Sequence, residues 1–171
     1  MWQRLTQLAD KRTYWLALLL LVLAMEGLAL IYQYQWDYQP CVLCIHVRIW
    51  LAGLGLVALV GLLLGPRRFI TPPLHLLSAV MLGGLLERSY QLLATERGWV
   101  FGSCSMDLGL PSWFAIERWF PTVFEVQTTC GYTPELLFGI TMAEGLLLFS
   151  LAMLLLSGAL LVLSLFHGRG A

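Results

Sequence analysis

The sequence predicts an all-α membrane protein, a bundle of four transmembrane helices that forms a single membrane domain over residues 1–171. Hydrophobic residues make up 59% of the chain and charged residues only 12%, and the mean hydropathy of +0.78 lies above the range of a soluble domain. At a rise of 1.5 Å per residue, a segment of about 20 apolar residues crosses a hydrocarbon core of about 30 Å. The segments of suitable length are residues 14–31, 44–64, 74–94 and 142–166.

The first apolar segment follows Arg4, Lys11 and Arg12, a pattern that also begins a secretory signal peptide. Gly27-Leu28-Ala29 would then be a weak cleavage site of the small-x-small type. The segment is longer than the roughly 7 to 15 apolar residues of a cleaved signal core. We therefore expect an uncleaved helix that stays in the membrane.

The charges predict how the bundle is oriented. Six basic residues lie in the amino-terminal segment, the turn after the second span and the carboxyl tail, namely Arg4, Lys11, Arg12, Arg67, Arg68 and Arg169. By the positive-inside rule these regions and both termini are cytoplasmic. Residues 33–40 and 95–141, and with them all four cysteines, then face the periplasm of a bacterial inner membrane, where disulfides form and persist.

The long outer segment, residues 95–141, contains a stretch that reads as a short helix on the membrane surface. Pro111 stands at a plausible first helical position, and Trp113, Ile116 and Phe120 share the apolar face. Such a helix would bury its aromatic face at the headgroup boundary. The alternative is a loop that is merely folded over the bundle.

The cysteines are the clearest chemical signal. Cys41 and Cys44 form a Cys-x-x-Cys pair at the start of the second span, whereas Cys104 and Cys130 are 26 residues apart in the outer segment. A disulfide in the short loop gains little chain entropy, while one across the longer loop could contribute roughly 3 to 3.5 kcal/mol. The first pair is thus a candidate for redox chemistry, and the second is either a structural crosslink or its partner in exchange.

Arg48 is the candidate residue for assisting that chemistry. It lies four residues after Cys44 and projects from the same helix face. A fixed cation and the start of a helix both favour the thiolate. The guanidinium group also offers fixed donors to a carbonyl oxygen of a bound small molecule.

Three further ionisable residues, Glu26, Glu87 and Arg88, lie inside the predicted spans. Charge at that depth usually faces the bundle interior or marks a functional path. Mutual ion pairing, or extension of the charged groups to the interface, explains them equally well. His46 reads as a polar interface anchor.

Together these residues resemble the DsbB family, the disulfide-bond formation proteins B. The likeness spans residues 14–166 and is most specific at the Pro-Cys-Val-Leu-Cys-x-x-x-Arg segment, residues 40–48. The other residues that carry it are Glu26 in the first span and Cys104 and Cys130, which flank the aromatic stretch from Pro111-Ser112-Trp113 to Pro121-Thr122-Val123-Phe124.

The resemblance implies an inner-membrane enzyme that reoxidises the periplasmic thiol oxidase DsbA and passes two electrons to ubiquinone or menaquinone. Electrons would enter at a disulfide of Cys104 with Cys130 and move to one of Cys41 with Cys44. In this scheme Cys130 attacks Cys41, and Cys44 is freed as a thiolate that engages the quinone.

The candidate residues for the quinone site are Cys44, Arg48, Glu26 and Arg88. The resemblance includes the first three, whereas Arg88 is a candidate because it is an ionisable residue inside a predicted span. The expected partners are a DsbA-type oxidase, the quinone and the lipid bilayer, with no nucleic acid.

Two other classes of protein fit only part of the cysteine pattern. A four-cysteine zinc site needs two ligand pairs with knuckle spacing, and only Cys41 with Cys44 has it. A membrane scaffold held by two disulfides would not need Arg48 one turn after a Cys-x-x-Cys pair. We therefore expect a redox enzyme without a metal.

Overall fold

The computed structural model describes residues 12–65, 69–100, 106–137 and 139–167, and most of these are helical. In chain order the elements are α1 (Arg12–Gln35), α2 (Val42–Leu64), α3 (Thr71–Glu96), α4 (Ile116–Trp119), α5 (Pro121–Phe124), β1 (Glu135–Leu137), β2 (Ile140–Thr141) and α6 (Met142–His167). Each of the four predicted spans lies inside one of the long helices α1, α2, α3 and α6. Of the basic residues used to predict the orientation, only Arg12 falls within the described parts of the chain.

Three helices among the described residues are long and apolar enough to cross a membrane, namely α1, α2 and residues Met142–Leu165 of α6. α3 has 26 residues, which is long enough, but it is more polar and carries Glu87, Arg88 and Gln91 in its carboxyl-terminal half. A multi-pass membrane protein is therefore supported, while a crossing by α3 stays a prediction.

The long helices pack in sequence, α1 on α2, α2 on α3 and α3 on α6. One buried cluster fills the middle of the bundle and is formed by residues such as Trp15, Leu18, Leu54, Leu82 and Leu85. The outward faces are apolar as well, since side chains such as Leu56, Leu63 and Leu155 are more than half exposed. An apolar surface around an apolar core is what a lipid environment requires.

A second buried cluster lies at the end of the bundle where α2 begins, and it joins the bundle to the connecting segment. Cys41, Val42 and Ile45 at the start of α2 pack there with Leu108 and Phe124 from the segment between α3 and α6. This segment is therefore docked onto the helix ends rather than extended into solvent. The cluster buries the first cysteine of the Cys-x-x-Cys pair.

The predicted surface helix over residues 111–120 is replaced by two shorter ones. The amide of Phe114 donates to the carbonyl of Pro111 at 2.8 Å and closes a turn, and Ala115 has the non-helical angles φ −88° and ψ 64°. Helix α4 thus begins only at Ile116, and Pro121 ends it and begins α5 because proline cannot continue the preceding turn. Trp113 and Phe120 are exposed on the protein, and their placement at a membrane surface stays a prediction.

The close packing of α2 against α3 can be tested by substituting a glycine of α3. A Cβ atom at Gly84 would lie 2.6 Å from Cε2 of Trp50, whereas a Cβ at the neighbouring Gly83 would meet nothing within 4 Å. We expect Gly84→Ala to lower the free energy of unfolding by about 1 to 3 kcal/mol because the indole ring must move. Gly83→Ala should be neutral or stabilising, since alanine favours the helix.

The measurement is reversible unfolding of both variants in the same detergent. Equal stability of the two variants would contradict the described contact between α2 and α3.

Candidate active site

Cys41 and Cys44 face each other at the start of α2. Cys41 caps the helix with extended backbone angles, φ −86° and ψ 170°, and the amide of Cys44 donates to its Sγ at 3.3 Å. The two Sγ atoms are 2.6 Å apart, and both residues are free cysteines. Sulfur atoms this close can interconvert between two thiols and one disulfide with little movement of the backbone.

The environment of Cys41 favours its thiolate. A hydrogen bond with the Cys44 thiol lowers the pKa of Cys41 below its ordinary value, and the backbone amides of Cys44 and Leu43 act in the same direction, while burial opposes them. A thiolate is the form that attacks and exchanges disulfides. Helix-start geometry thus prepares the reduced pair for exchange.

Arg48 lies one turn further along α2 and is only 5% exposed. Its Nη1 donates to Oε1 of Gln33 at 2.7 Å and to the carbonyl of Val123 at 2.8 Å, and its Nη2 donates to the carbonyl of Ala29 at 3.2 Å. These three bonds join α2 to α1 and to the segment around α5. All three acceptors are uncharged, so the hydrogen bonds do not cancel the positive charge of the guanidinium group.

A cavity of about 600 Å³ borders both Cys44 and Arg48. This volume is in the range of sites that hold a small organic molecule. The walls are mainly apolar, and α1, α2 and α6 contribute residues such as Leu21, Met25, Leu28, Leu51, Leu146 and Phe149. Residues 37–40 and several of residues 128–134, from the two connecting segments, also line the cavity. The cavity therefore combines a thiol, a buried cation and an extended apolar wall.

The segment that carries Cys130 runs alongside the start of α2. The amide of Gln127 donates to the carbonyl of Pro40 at 2.9 Å, and Thr128 pairs with Cys41 in a parallel bridge. Cys130 packs against the second buried cluster, which contains Cys41. The structure thus brings a cysteine of the second pair next to the first pair.

Cys130 is itself disulfide-bonded. Cys104, which the sequence names as the other member of the second pair, lies outside the described residues.

The other ionisable residues of the predicted spans divide into two places. Glu26 on α1 interacts electrostatically with Arg48, and its Oε1 is buried without a hydrogen-bond partner. On α3, Arg88 pairs with Glu87 at 3.1 Å and donates to Gln91 at 3.0 Å. Neither Glu26 nor Arg88 is among the residues that line the cavity.

Sequence reasoning missed two contacts of the site. Gln33 is buried and accepts from Arg48, although the two residues are 15 positions apart and on different helices. His46 is more than an interface anchor, since its Nε2 lies 3.0 Å from the carbonyl of Leu108 and links α2 to the segment after Cys104. The one signal in the sequence for the contact of Gln33 with Arg48 was a glutamine near the end of an apolar span. Nothing in the sequence indicated the contact of His46 with Leu108.

Comparisons with known proteins identify the family of this chain. The family model of the disulfide bond formation protein DsbB matches residues 11–160, a range that includes all four cysteines and Arg48. The chain is 34% identical to disulfide bond formation protein B 2 of Pseudomonas aeruginosa, over 88% of this chain and 91% of the relative.

Two further relatives are matched as fully. Disulfide bond formation protein B of Haemophilus influenzae is 34% identical over 90% of this chain and 88% of the relative. Disulfide bond formation protein B of Shewanella denitrificans is 31% identical over 89% of this chain and 90% of the relative.

Proposed function

Since the chain belongs to the DsbB family of disulfide bond formation proteins, we propose that it reoxidises a DsbA-type thiol oxidase and delivers the two electrons to a membrane quinone. Family membership and the three apolar helices make it a multi-pass membrane protein with disulfide oxidoreductase activity. Beyond this activity, we propose the electron donor, the electron acceptor and the route between them.

The observation that carries the proposal is that Cys44 and Arg48 border one apolar cavity. A membrane quinone has a flat ring with carbonyl oxygens and an apolar tail, and these features match a guanidinium donor beside a wall of leucine, methionine and phenylalanine. Ubiquinone and menaquinone fit this description equally. When bound, a quinone supplies a two-electron acceptor that becomes a quinol on taking up two protons.

Arg48 would hold such a ring by donating to one of its carbonyl oxygens, and its positive charge would stabilise a thiolate at Cys44. Its bonds to Ala29, Gln33 and Val123 fix the guanidinium group in advance, so little ordering is needed on binding. Glu26, which interacts with Arg48, would act on the ring through that residue. A role for Arg88 stays a prediction that rests only on its being an ionisable residue inside a predicted span.

Cys130 would connect the two cysteine pairs. In the resting enzyme we expect disulfides of Cys104 with Cys130 and of Cys41 with Cys44. Attack of the partner's thiolate on Cys104 releases Cys130, whose thiolate then attacks Cys41 and releases Cys44 toward the cavity. The backbone pairing of Thr128 with Cys41 supports this order because it keeps the Cys130 segment beside Cys41.

We also propose that the cysteines face the periplasm and the termini the cytoplasm of the inner membrane. Within the bundle, Cys41 at the start of α2 and Arg12 at the start of α1 lie at opposite ends, because these consecutive helices run antiparallel. The basic residues used in the sequence argument support the same orientation.

The two cysteine pairs should separate by role. Replacing Cys104 or Cys130 with serine is expected to abolish rapid oxidation of reduced DsbA while leaving Cys41 and Cys44 open to reoxidation by a soluble quinone analogue. The measurements are the rate of DsbA oxidation and, in the same variants, the rate of thiol loss at Cys41 and Cys44. Equal loss of both reactions would contradict the proposed order of electron flow.

Arg48 variants test the quinone site. Arg48→Lys keeps the charge but loses the planar pair of donors, and Arg48→Gln removes the charge. The loss of one charge-assisted hydrogen bond corresponds to about 10- to 150-fold, so the ratio kcat/KM for quinone should fall for lysine and further for glutamine.

Arg118→Gln is the matched control, since Arg118 is an exposed cation on α4. Steady-state quinone kinetics should be unchanged for this control. Formation of the mixed disulfide between DsbA and Cys104 should stay near normal in all three variants. Unchanged quinone kinetics in folded Arg48→Gln protein would remove the assigned role.

A further inference from the structure

The chain just after Cys130 is anchored by Glu96, the last residue of α3. Oε2 of Glu96 accepts hydrogen bonds from Oγ1 of Thr133 at 2.7 Å and from Oγ1 of Thr141 at 3.3 Å. Thr133 is only 2% exposed. One carboxylate oxygen thus binds Thr133, just before β1, and Thr141, the last residue of β2.

The chain just before Cys130 is anchored as well. Thr128 pairs with Cys41, and its neighbour Gln127 donates to the carbonyl of Pro40. Between these two anchors, Gly131 has a φ of +127°, a backbone conformation that favours glycine and lets the chain turn directly after Cys130. Cys130 therefore lies in a short segment that is fixed on both sides, with Cys41 as its neighbour.

We propose that Glu96 is a positioning residue for exchange between the two cysteine pairs, because its hydrogen bonds with Thr133 and Thr141 keep Cys130 beside Cys41. This inference rests on the proposed function, in which Cys130 attacks Cys41. In that step the thiolate electron pair of Cys130 forms the Cys130–Cys41 bond, the Cys41–Cys44 bond breaks, and its electron pair leaves on Cys44. No external oxidant enters the step.

A neighbouring ion pair contacts the same hairpin but is less suited to this role. Arg97 pairs with Glu144, and Oε2 of Glu144 accepts from the amide of Thr141 at 3.1 Å. The Arg97 side chain is about half exposed, and exposed ion pairs contribute little to stability. Glu96 instead binds a buried threonine and reaches both sides of the hairpin.

The test measures how strongly the fold favours the bond between Cys41 and Cys130. In full-length protein carrying Cys44→Ser and Cys104→Ser, only these two cysteines remain, and titration with reduced and oxidised glutathione gives their effective concentration. Glu96→Ala should lower this value at least about tenfold, since a hydrogen bond to a charged group is lost. Glu96→Gln keeps an oxygen acceptor and should recover part of the loss.

Two controls separate positioning from general loosening. Glu125→Ala removes an exposed carboxylate from the same segment and should leave the value unchanged. In a Cys104→Ser, Cys130→Ser background, the Cys41–Cys44 pair should keep its effective concentration when Glu96 becomes alanine.

An unchanged Cys41–Cys130 value in Glu96→Ala would overturn the inference, and so would an equal fall for both pairs. If no Cys41–Cys130 bond forms even with Glu96 present, the proposed relay itself fails, and the positioning role with it.

Discussion

Because a guanidinium group is costly to bury without hydrogen-bond partners, the end of the bundle where α2 begins depends on how Arg48 is accommodated. Its three partners come from two elements, Ala29 and Gln33 from α1 and Val123 from α5. The hydrogen bonds of this one side chain therefore fix α1, α2 and the connecting segment relative to each other. Loss of any partner would leave a buried donor unpaired, at about 1 to 3 kcal/mol.

The same constraint organises the chemistry. Cys44 lies one helical turn before Arg48, so a helix held by that arginine also sets the position of a thiol at the cavity. The docked segment brings Cys130 against the cluster that buries Cys41, and Glu96 holds the chain on the far side of Cys130. The hydrogen-bond acceptors of Arg48 are neutral oxygens, and its charge acts on Glu26 as well as on a thiolate or a carbonyl oxygen at the cavity.

The four long helices and the Cys-x-x-Cys pair could be predicted because both depend on local sequence, namely apolar length and residue spacing. The partners of Arg48 could not, since Gln33 and Val123 are 15 and 75 positions away and one of them offers only a backbone carbonyl. The helix predicted over residues 111–120 differs from the structure for a related reason. The spacing of the apolar residues predicts one helix that runs through Ala115 to Phe120. The backbone angles of these two residues are not helical, because the segment docks onto the bundle and Pro121 follows directly.

The central claim is that electrons pass from a reduced thiol oxidase through the cysteines to a quinone at Arg48 and Cys44. It is tested most directly by mixing purified enzyme, reduced DsbA and a soluble ubiquinone analogue without oxygen, and by following quinone absorbance and DsbA thiols together. The account predicts one quinone reduced for each DsbA disulfide formed. Formation of DsbA disulfides without a matching loss of quinone would contradict it.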